Sequence, residues 1–456
     1  MSSQHAPREQ WASKLGFMLA ALGSAVGLGN IWRFSYVAGE SGGGAFLLVY
    51  LLCIVAIGIP IVLAEFAIGR RSQSDVVGSF QSLAPGKPWV LAGYLGVASA
   101  FIILSFYGVV AGWSLHYFIQ YFAGGPSLEG GMSYGDYFGA FTSNMVQPLF
   151  WQFAFMALTV GIVFVGVKKG IELSNKILMP LLAILVIVLA GYSLTLGGAS
   201  EAISFLFSPD WSALGEPAVW FSALSQAFFS LSLGMGALIT YGSYLNQKEK
   251  LPGAAVGVSI MDSGFAIIAG LMIFPAVFAF GIAPDSGPGL VFITLPEIFN
   301  NLSLGTLFGL LFFFLLTAAA ISSGVSLLEV AVAFFMRQMN WTRQKAALII
   351  GTIIFLIGLP SSFSFGAWSD VTVLGDRSIF DSMDFLASYI FLPVGGFIIA
   401  LFVGWGWKKA DALAAGDLQG SAIGIVWIWI LRIAAPIAIL LVFLYSTGLL
   451  NLITGE

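Results

Sequence analysis

Two short stretches in an otherwise apolar chain carry groups suited to holding ions. In "GSAVGLGNIWRF", residues 23–34, Gly27 and Gly29 stand beside Asn30 and Arg33, and "FFSLSLGMGALITYGSY", residues 228–244, holds a second pair, Gly234 and Gly236. Each pair falls near the middle of a run that otherwise reads as a membrane helix. Transmembrane glycines also let helices pack closely. Pairing at corresponding positions of two halves of the chain, however, points to helices interrupted at the bilayer midplane. Unwound backbone offers carbonyl oxygens to a dehydrated cation, while half-helix amino termini offer N–H groups and partial positive charge to an anion. Such irregular backbone is tolerated at that depth only around a protein-lined cavity. A sodium ion and a zwitterion fit a site of this kind together.

The elements that must position these stretches follow from composition. Hydrophobic residues make up 59% of the 456 positions and charged residues only 9%, against roughly 25% charged in soluble domains. The fold class expected is an all-α polytopic membrane protein. A hydrocarbon core about 30 Å thick needs roughly 20 apolar residues per helix. Eleven transmembrane helices are predicted, near 12–38, 41–70, 88–123, 150–167, 171–197, 217–246, 253–282, 304–336, 345–366, 382–407 and 421–450. They form one domain over 1–456, with a first five-helix repeat at 12–197, a second, inverted one at 217–407 and an additional helix at 421–450. Each repeat opens with a broken helix.

Lysine and arginine test the count independently, because cytoplasmic loops are enriched in them. Arg8, Lys14, Arg70, Arg71, Lys87, Lys168, Lys169, Lys176, Lys248, Lys250, Arg337, Arg343, Lys345, Lys408 and Lys409 all fall on one side, and the loops 124–149, 198–216 and 283–303 contain neither residue. The amino terminus is expected in the cytoplasm and the carboxyl terminus outside. Arg33, Arg377 and Arg432 depart from the pattern; for Arg432, deep in the last helix, snorkelling and a protein-facing partner both stay open.

Other function classes are poorly served. A net charge of −4 with scattered basic residues gives no footprint for nucleic acid. Cys53 is the single cysteine, and His5 and His116 are the only histidines, so no metal cluster or nucleophile motif emerges. The apolar run after Lys14 is too long for a removable signal peptide, and the first helix is read as its own insertion signal.

The segments "REQWASKLG", "GSAVGLGNIWRF", "GGGAFLLVY", "QAFFSLSLGMG", "AAAISSGVSLLE" and "DSMDF" occur in one order and spacing across helices 1 to 10. In this the chain resembles the neurotransmitter:sodium symporters, whose leucine-transporter (LeuT-type) fold is a 5+5 inverted repeat with broken helices 1 and 6. The resemblance implies alternating-access symport in a bacterial cytoplasmic membrane, with two sodium ions and a small-molecule amino-acid substrate. A first sodium site maps to Ala25, Asn30, Ser230 and Asp262, and a second to Gly23, Val26, Ala319, Ser322 and Ser323. Carbonyl and hydroxyl oxygens suit an alkali cation better than a transition metal. The substrate site maps to Ala25, Gly27, Leu28, Gly29, Ile103, Tyr107, Phe229, Ser230, Ser232, Met235, Ser323 and Leu327.

Gly27 stands where amine-carrying relatives have an aspartate, which implies a substrate bringing its own carboxylate. Apart from Asp262 the mapped lining is uncharged, so a neutral hydrophobic side chain is expected. Asp262 departs from the asparagine common in the family; it would supply the charge that chloride supplies elsewhere near Tyr50, Gln226 and Ser230, implying chloride-independent transport. Outer gating maps to Arg33 with Asp384, above Tyr107 and Phe229, and inner gating to Arg8, Trp11 and Tyr244. Arg337 stands where the inner gate's acidic partner is usual. Gly170 and Pro180 frame helix 5 with a spacing that relatives use to unwind it; a simple proline kink is the alternative. A substrate sensor or sodium-binding channel on the same scaffold is the rival function.

Overall fold

A computed structural model describes residues 9–448 apart from 283, 285 and 286. Apart from one two-stranded hairpin, Thr372–Leu374 with Arg377–Ser378, the described elements are helical. Among the described residues nine helices are each long and apolar enough to cross a bilayer, and a tenth span is a bent pair, Lys14–Ala25 with Gly29–Glu40, whose axes meet at 49°. The predicted sixth span is present as two pieces, Pro217–Ser230 and Ala237–Ser243. Its 14 and 7 helical residues are each too short to cross alone.

The first break arises from local competition for the backbone. Ser13 caps the opening helix by accepting from the Gly16 N–H, and regular pairing runs to Ala25. Beyond it the Gly27 N–H turns to the Asn30 side-chain oxygen at 3.1 Å, the short-range capture by which asparagine draws backbone out of a helix. The chain then resumes through a wide π-helical turn, Gly29–Arg33. In the sixth segment Gly234 and Gly236 both adopt φ of +78°, which only glycine adopts freely, and Ser232 is held at +56°. Its hydroxyl donates to the Ser24 carbonyl at 2.8 Å, tying the two breaks together.

The third helix, Val90–Phe122, and the eighth, Gly305–Met339, make the most extensive contact in the molecule and carry the breaks between them. The membrane-facing rim is apolar: Ile184 is 60% exposed and Ile423 70%, as expected where the solvent is lipid. Gly166, at φ +110°, ends the fourth helix, and the fifth starts as a π-helical turn, Val167–Glu172, continuing through Pro180 to Ser193. Helix 5 is therefore wound across Gly170 in this structure. Arg432 has a protein partner: its Nε donates to the Gly404 carbonyl and its guanidinium lies 5.1 Å from the Trp405 ring.

Close packing between the second helix and the inner half of the sixth depends on Gly69, where an added Cβ would collide with the Ile239 carbonyl. Gly69→Val is expected to cost about 1–3 kcal/mol by overpacking, read as a lower thermal-unfolding midpoint in detergent. Gly139→Val, with nothing within 4 Å of its Cβ position, should leave that midpoint within a degree or so of wild type.

Candidate functional site

The two breaks bring together most of the residues mapped from sequence. At the first centre, Asn30 Nδ2 donates to Asp262 Oδ1 at 2.8 Å and to Ser230 Oγ at 3.1 Å, and Ser230 Oγ donates to Asp262 Oδ2 at 2.6 Å. Tyr50 Oη donates to the same hydroxyl at 3.3 Å. Asn30, Ser230 and Asp262 are fully buried, and Ala25 lines the adjoining cavity. The ring is rich in oxygen and carries one carboxylate, a donor set suited to a hard cation.

A second centre joins the first helix to the eighth. Ser323 Oγ donates toward the carbonyls of Val26, Gly23 and Ser24 at 3.2, 3.3 and 3.3 Å, and Ser322 Oγ lies 2.9 Å from the Ala319 carbonyl and 3.5 Å from that of Val26. All five residues mapped to the second sodium site meet here. Ser24 was missed by sequence reasoning: its carbonyl takes both Ser323 and Ser232, and its hydroxyl donates to Ser326 at 2.9 Å.

Between the centres lies a narrow cavity lined by Ser24, Ala25, Gly27, Gly29, Ile103, Tyr107, Phe229, Ser232, Met235, Ser323 and Leu327. Of the mapped substrate residues only Leu28 and Ser230 lie off its wall. Leu28 presents its N–H to Tyr107 Oη at 3.3 Å, and Ser230 belongs to the first centre. No charged side chain lines the cavity. Gly27 leaves no room for a larger residue, because an added Cβ would fall 3.1 Å from Tyr107 Oη and against Ser323 Oγ.

The outer gate differs from expectation. No ion pair joins Arg33 to Asp384 among the described residues; Arg33 Nη1 donates to Gln226 Oε1 at 2.7 Å, Nη2 to Ser225 Oγ at 3.4 Å, and the guanidinium sits 5.0 Å from the Phe229 ring. Asp384 accepts from Ser388 at 2.9 Å instead. Arg33 is buried, and neutral acceptors on the sixth helix take its two terminal nitrogens, leaving Nε without a hydrogen-bond partner. Gln226 gains a role that composition could not disclose. It receives Arg33 on its oxygen and donates its Nε2 to the Gly29 carbonyl at 2.8 Å, linking the gate to the break.

On the inner side Arg8 lies outside the described residues. Trp11 donates its ring N–H to the Tyr241 carbonyl at 2.9 Å and its backbone N–H to the Tyr244 carbonyl at 3.1 Å. Tyr244 Oη donates to Glu329 Oε1 at 2.5 Å, and Glu329 receives Arg343 through two bonds of 2.6 and 3.0 Å. Arg343 also pairs with Glu9 at 3.0 Å. Arg337 pairs with Asp75, and the acid that meets Tyr244 is Glu329, two turns earlier on the same helix. These partners lie far apart in sequence, and only a buried acid at 329 within an apolar run hinted at them. Glu65 was likewise missed: fully buried on the second helix, it accepts the Gly234 N–H at 2.8 Å.

Glu329→Gln would leave Arg343 short of charge in a buried setting, at a cost of about 1–3 kcal/mol. The expected outcome is a larger inward-open population, read in a Cys53→Ser background as faster labelling of Ser13→Cys by an impermeant thiol reagent from the cytoplasmic side. Unchanged labelling would show that this network does not hold the inner side shut.

Comparison with known proteins agrees with this geometry. The model of the sodium:neurotransmitter symporter family matches residues 8–127 and 143–452. An uncharacterized sodium-dependent transporter of Bacillus subtilis, YhdH, is 42% identical over 445 residues, 97% of this chain and 98% of its own. One from Haemophilus influenzae is 34% identical over 455 residues, 97% of this chain and 99% of its own. Among solved structures, MhsT in complex with L-phenylalanine is 64% identical, covers 96% of this chain and all of its own, and superposes with a TM-score of 0.91. With broken helices meeting at a neutral cavity and a family match along nearly its whole length, the chain belongs to the sodium:neurotransmitter symporter family: it is a sodium-dependent membrane transporter and not an enzyme.

Proposed function

We propose that the protein carries neutral, hydrophobic L-amino acids, aliphatic and aromatic, together with two sodium ions and without chloride, by alternating access across a bacterial cytoplasmic membrane. Eleven spans in two inverted five-helix repeats, an amino terminus inside and a carboxyl terminus outside complete the reading. The observation that carries it is the cavity wall. Helix-break backbone at Gly27 and Gly29 faces a lining with no charged side chain. A substrate held there brings its own carboxylate and amine, and a charged side chain would be stranded at a cost of several kcal/mol, roughly 2 or more. Binding of L-phenylalanine by the similar protein MhsT supports the same substrate class.

In this reading the first ion sits among Asn30, Ser230, Asp262 and the Ala25 carbonyl, and its shell is completed by the substrate carboxylate. The second sits among the Gly23 and Val26 carbonyls with Ala319, Ser322 and Ser323. Occupancy couples the two cargoes. Sodium exchanges the hydroxyl bonds that now hold the breaks for direct ligation, and the substrate seals the first shell. Moving two charges with a zwitterion at 100 mV is worth about 4.6 kcal/mol, enough for about a thousandfold accumulation.

The reading is tested in proteoliposomes with an inward sodium gradient and labelled leucine, potassium serving as control. Sodium-dependent accumulation should be inhibited by excess leucine, tryptophan and phenylalanine and untouched by lysine or glutamate; binding without accumulation would move the protein to the sensor class, and substrate-independent current to the channel class. Replacing chloride with gluconate should leave uptake unchanged, because the Asp262 carboxylate already balances the first ion. Uptake that vanishes in gluconate would overturn that assignment.

A further inference from the structure

Two side-chain oxygens of the fifth helix face glycines of the first helix across their seam. Asn175, fully buried, donates its Nδ2 to the Ile171 carbonyl at 2.9 Å, which fixes the direction of its amide. Its Oδ1 is left without a hydrogen-bond partner and is aimed at Gly23, where an added Cβ would collide with it. One turn earlier on the fifth helix, Glu172 Oε1 presses in the same way on Gly16. Glu172 also takes the Ala12 N–H at 2.7 Å, the Ser13 hydroxyl at 3.1 Å and the Lys176 ammonium at 2.7 Å.

Buried polar atoms in native structures nearly always have partners, and a bare amide oxygen set against Gly23, a residue of the second centre, calls for an explanation. Resting on the ion assignment above, we propose that Asn175 is the first ligand a sodium ion meets on leaving the Gly23–Ser323 centre, and that it passes the ion to Glu172 one turn nearer the cytoplasm. An amide oxygen followed by a carboxylate is a hard-oxygen path for an alkali cation. Lys176, 35% exposed and paired to Glu172, supplies the competing cation that keeps the carboxylate from retaining sodium. The two glycines of the first helix are small where the path runs, so a modest separation of the helices opens it. The fifth helix begins this stretch with the π-helical turn Val167–Glu172, after Gly166, where its backbone pairing is least regular.

The test uses the full-length transporter in proteoliposomes, with sodium and labelled phenylalanine as probes, and compares equilibrium binding with net uptake. Asn175→Leu should keep sodium-dependent binding within twofold of wild type while slowing net uptake at least tenfold; Asn175→Asp, which retains the oxygen, should stay within about threefold. Glu172→Gln should slow uptake severalfold with binding intact. Wild-type uptake by Asn175→Leu, an equal loss of binding and uptake, or an Asn175→Asp as slow as Asn175→Leu would each overturn the proposal. Should the leucine variant not fold, Asn175→Ala gives the same comparison. A wild-type protein without sodium-dependent binding would instead remove the underlying ion assignment, an outcome distinct from any of these.

Discussion

A helix broken inside a bilayer releases backbone groups that water cannot reach, each costing roughly 2–7 kcal/mol if left bare. Most of the buried polar side chains near the centre of this protein answer that one constraint. At the first break the freed N–H groups of Gly27 and Leu28 go to Asn30 and Tyr107, and the Gly29 carbonyl goes to Gln226. At the second, the Gly234 N–H goes to Glu65. The carbonyls of residues 23, 24 and 26 are treated differently, being held by serine hydroxyls at 2.8–3.5 Å. A hydroxyl rotates, and it is a donor to a carbonyl or a lone-pair ligand to a cation as needed. The freed N–H groups are thus fixed by large side chains, while the carbonyls of residues 23, 24 and 26 are held by exchangeable hydroxyls. This asymmetry makes the site ready for cations in particular.

The same constraint explains which parts of the site were legible in the sequence. Gly27, Gly29, Gly234 and Gly236 announce the breaks because local backbone geometry is written in local residue type, and the cavity residues follow from their register around those glycines. Residues that satisfy the breaks from other helices leave no such mark. Glu65 stands in an apolar run of the second helix and Gln226 within the sixth; neither has a neighbour in sequence that predicts its partner. The latch shows the same limit. Tyr244, Glu329, Arg343 and Glu9 converge from four segments, and the acid that meets Tyr244 lies two turns from Arg337. The sixth span was expected over 217–246 with a break at its paired glycines; hydropathy alone does not place the ends of that break, which the fold sets at Ser230 and Ala237.

Charge placement separates the outer from the inner closure. Outside, Arg33 is buried yet meets amide, hydroxyl and aromatic face, with no carboxylate in ion-pair contact among the described residues. Such contacts are each weaker than a bidentate ion pair. Inside, Glu329 is fully buried and Arg343 nearly so, bonded through two N–H groups and extended at both ends by Tyr244 and Glu9. Removing one member strands a buried charge. The contacts around Glu329 therefore form a cooperative network, whereas those of Arg33 are separable. The first helix links the two sets of contacts: the chain leading into it carries Trp11, which donates to the Tyr241 and Tyr244 carbonyls, and its far end carries the Gly23 carbonyl and the Gly27 break.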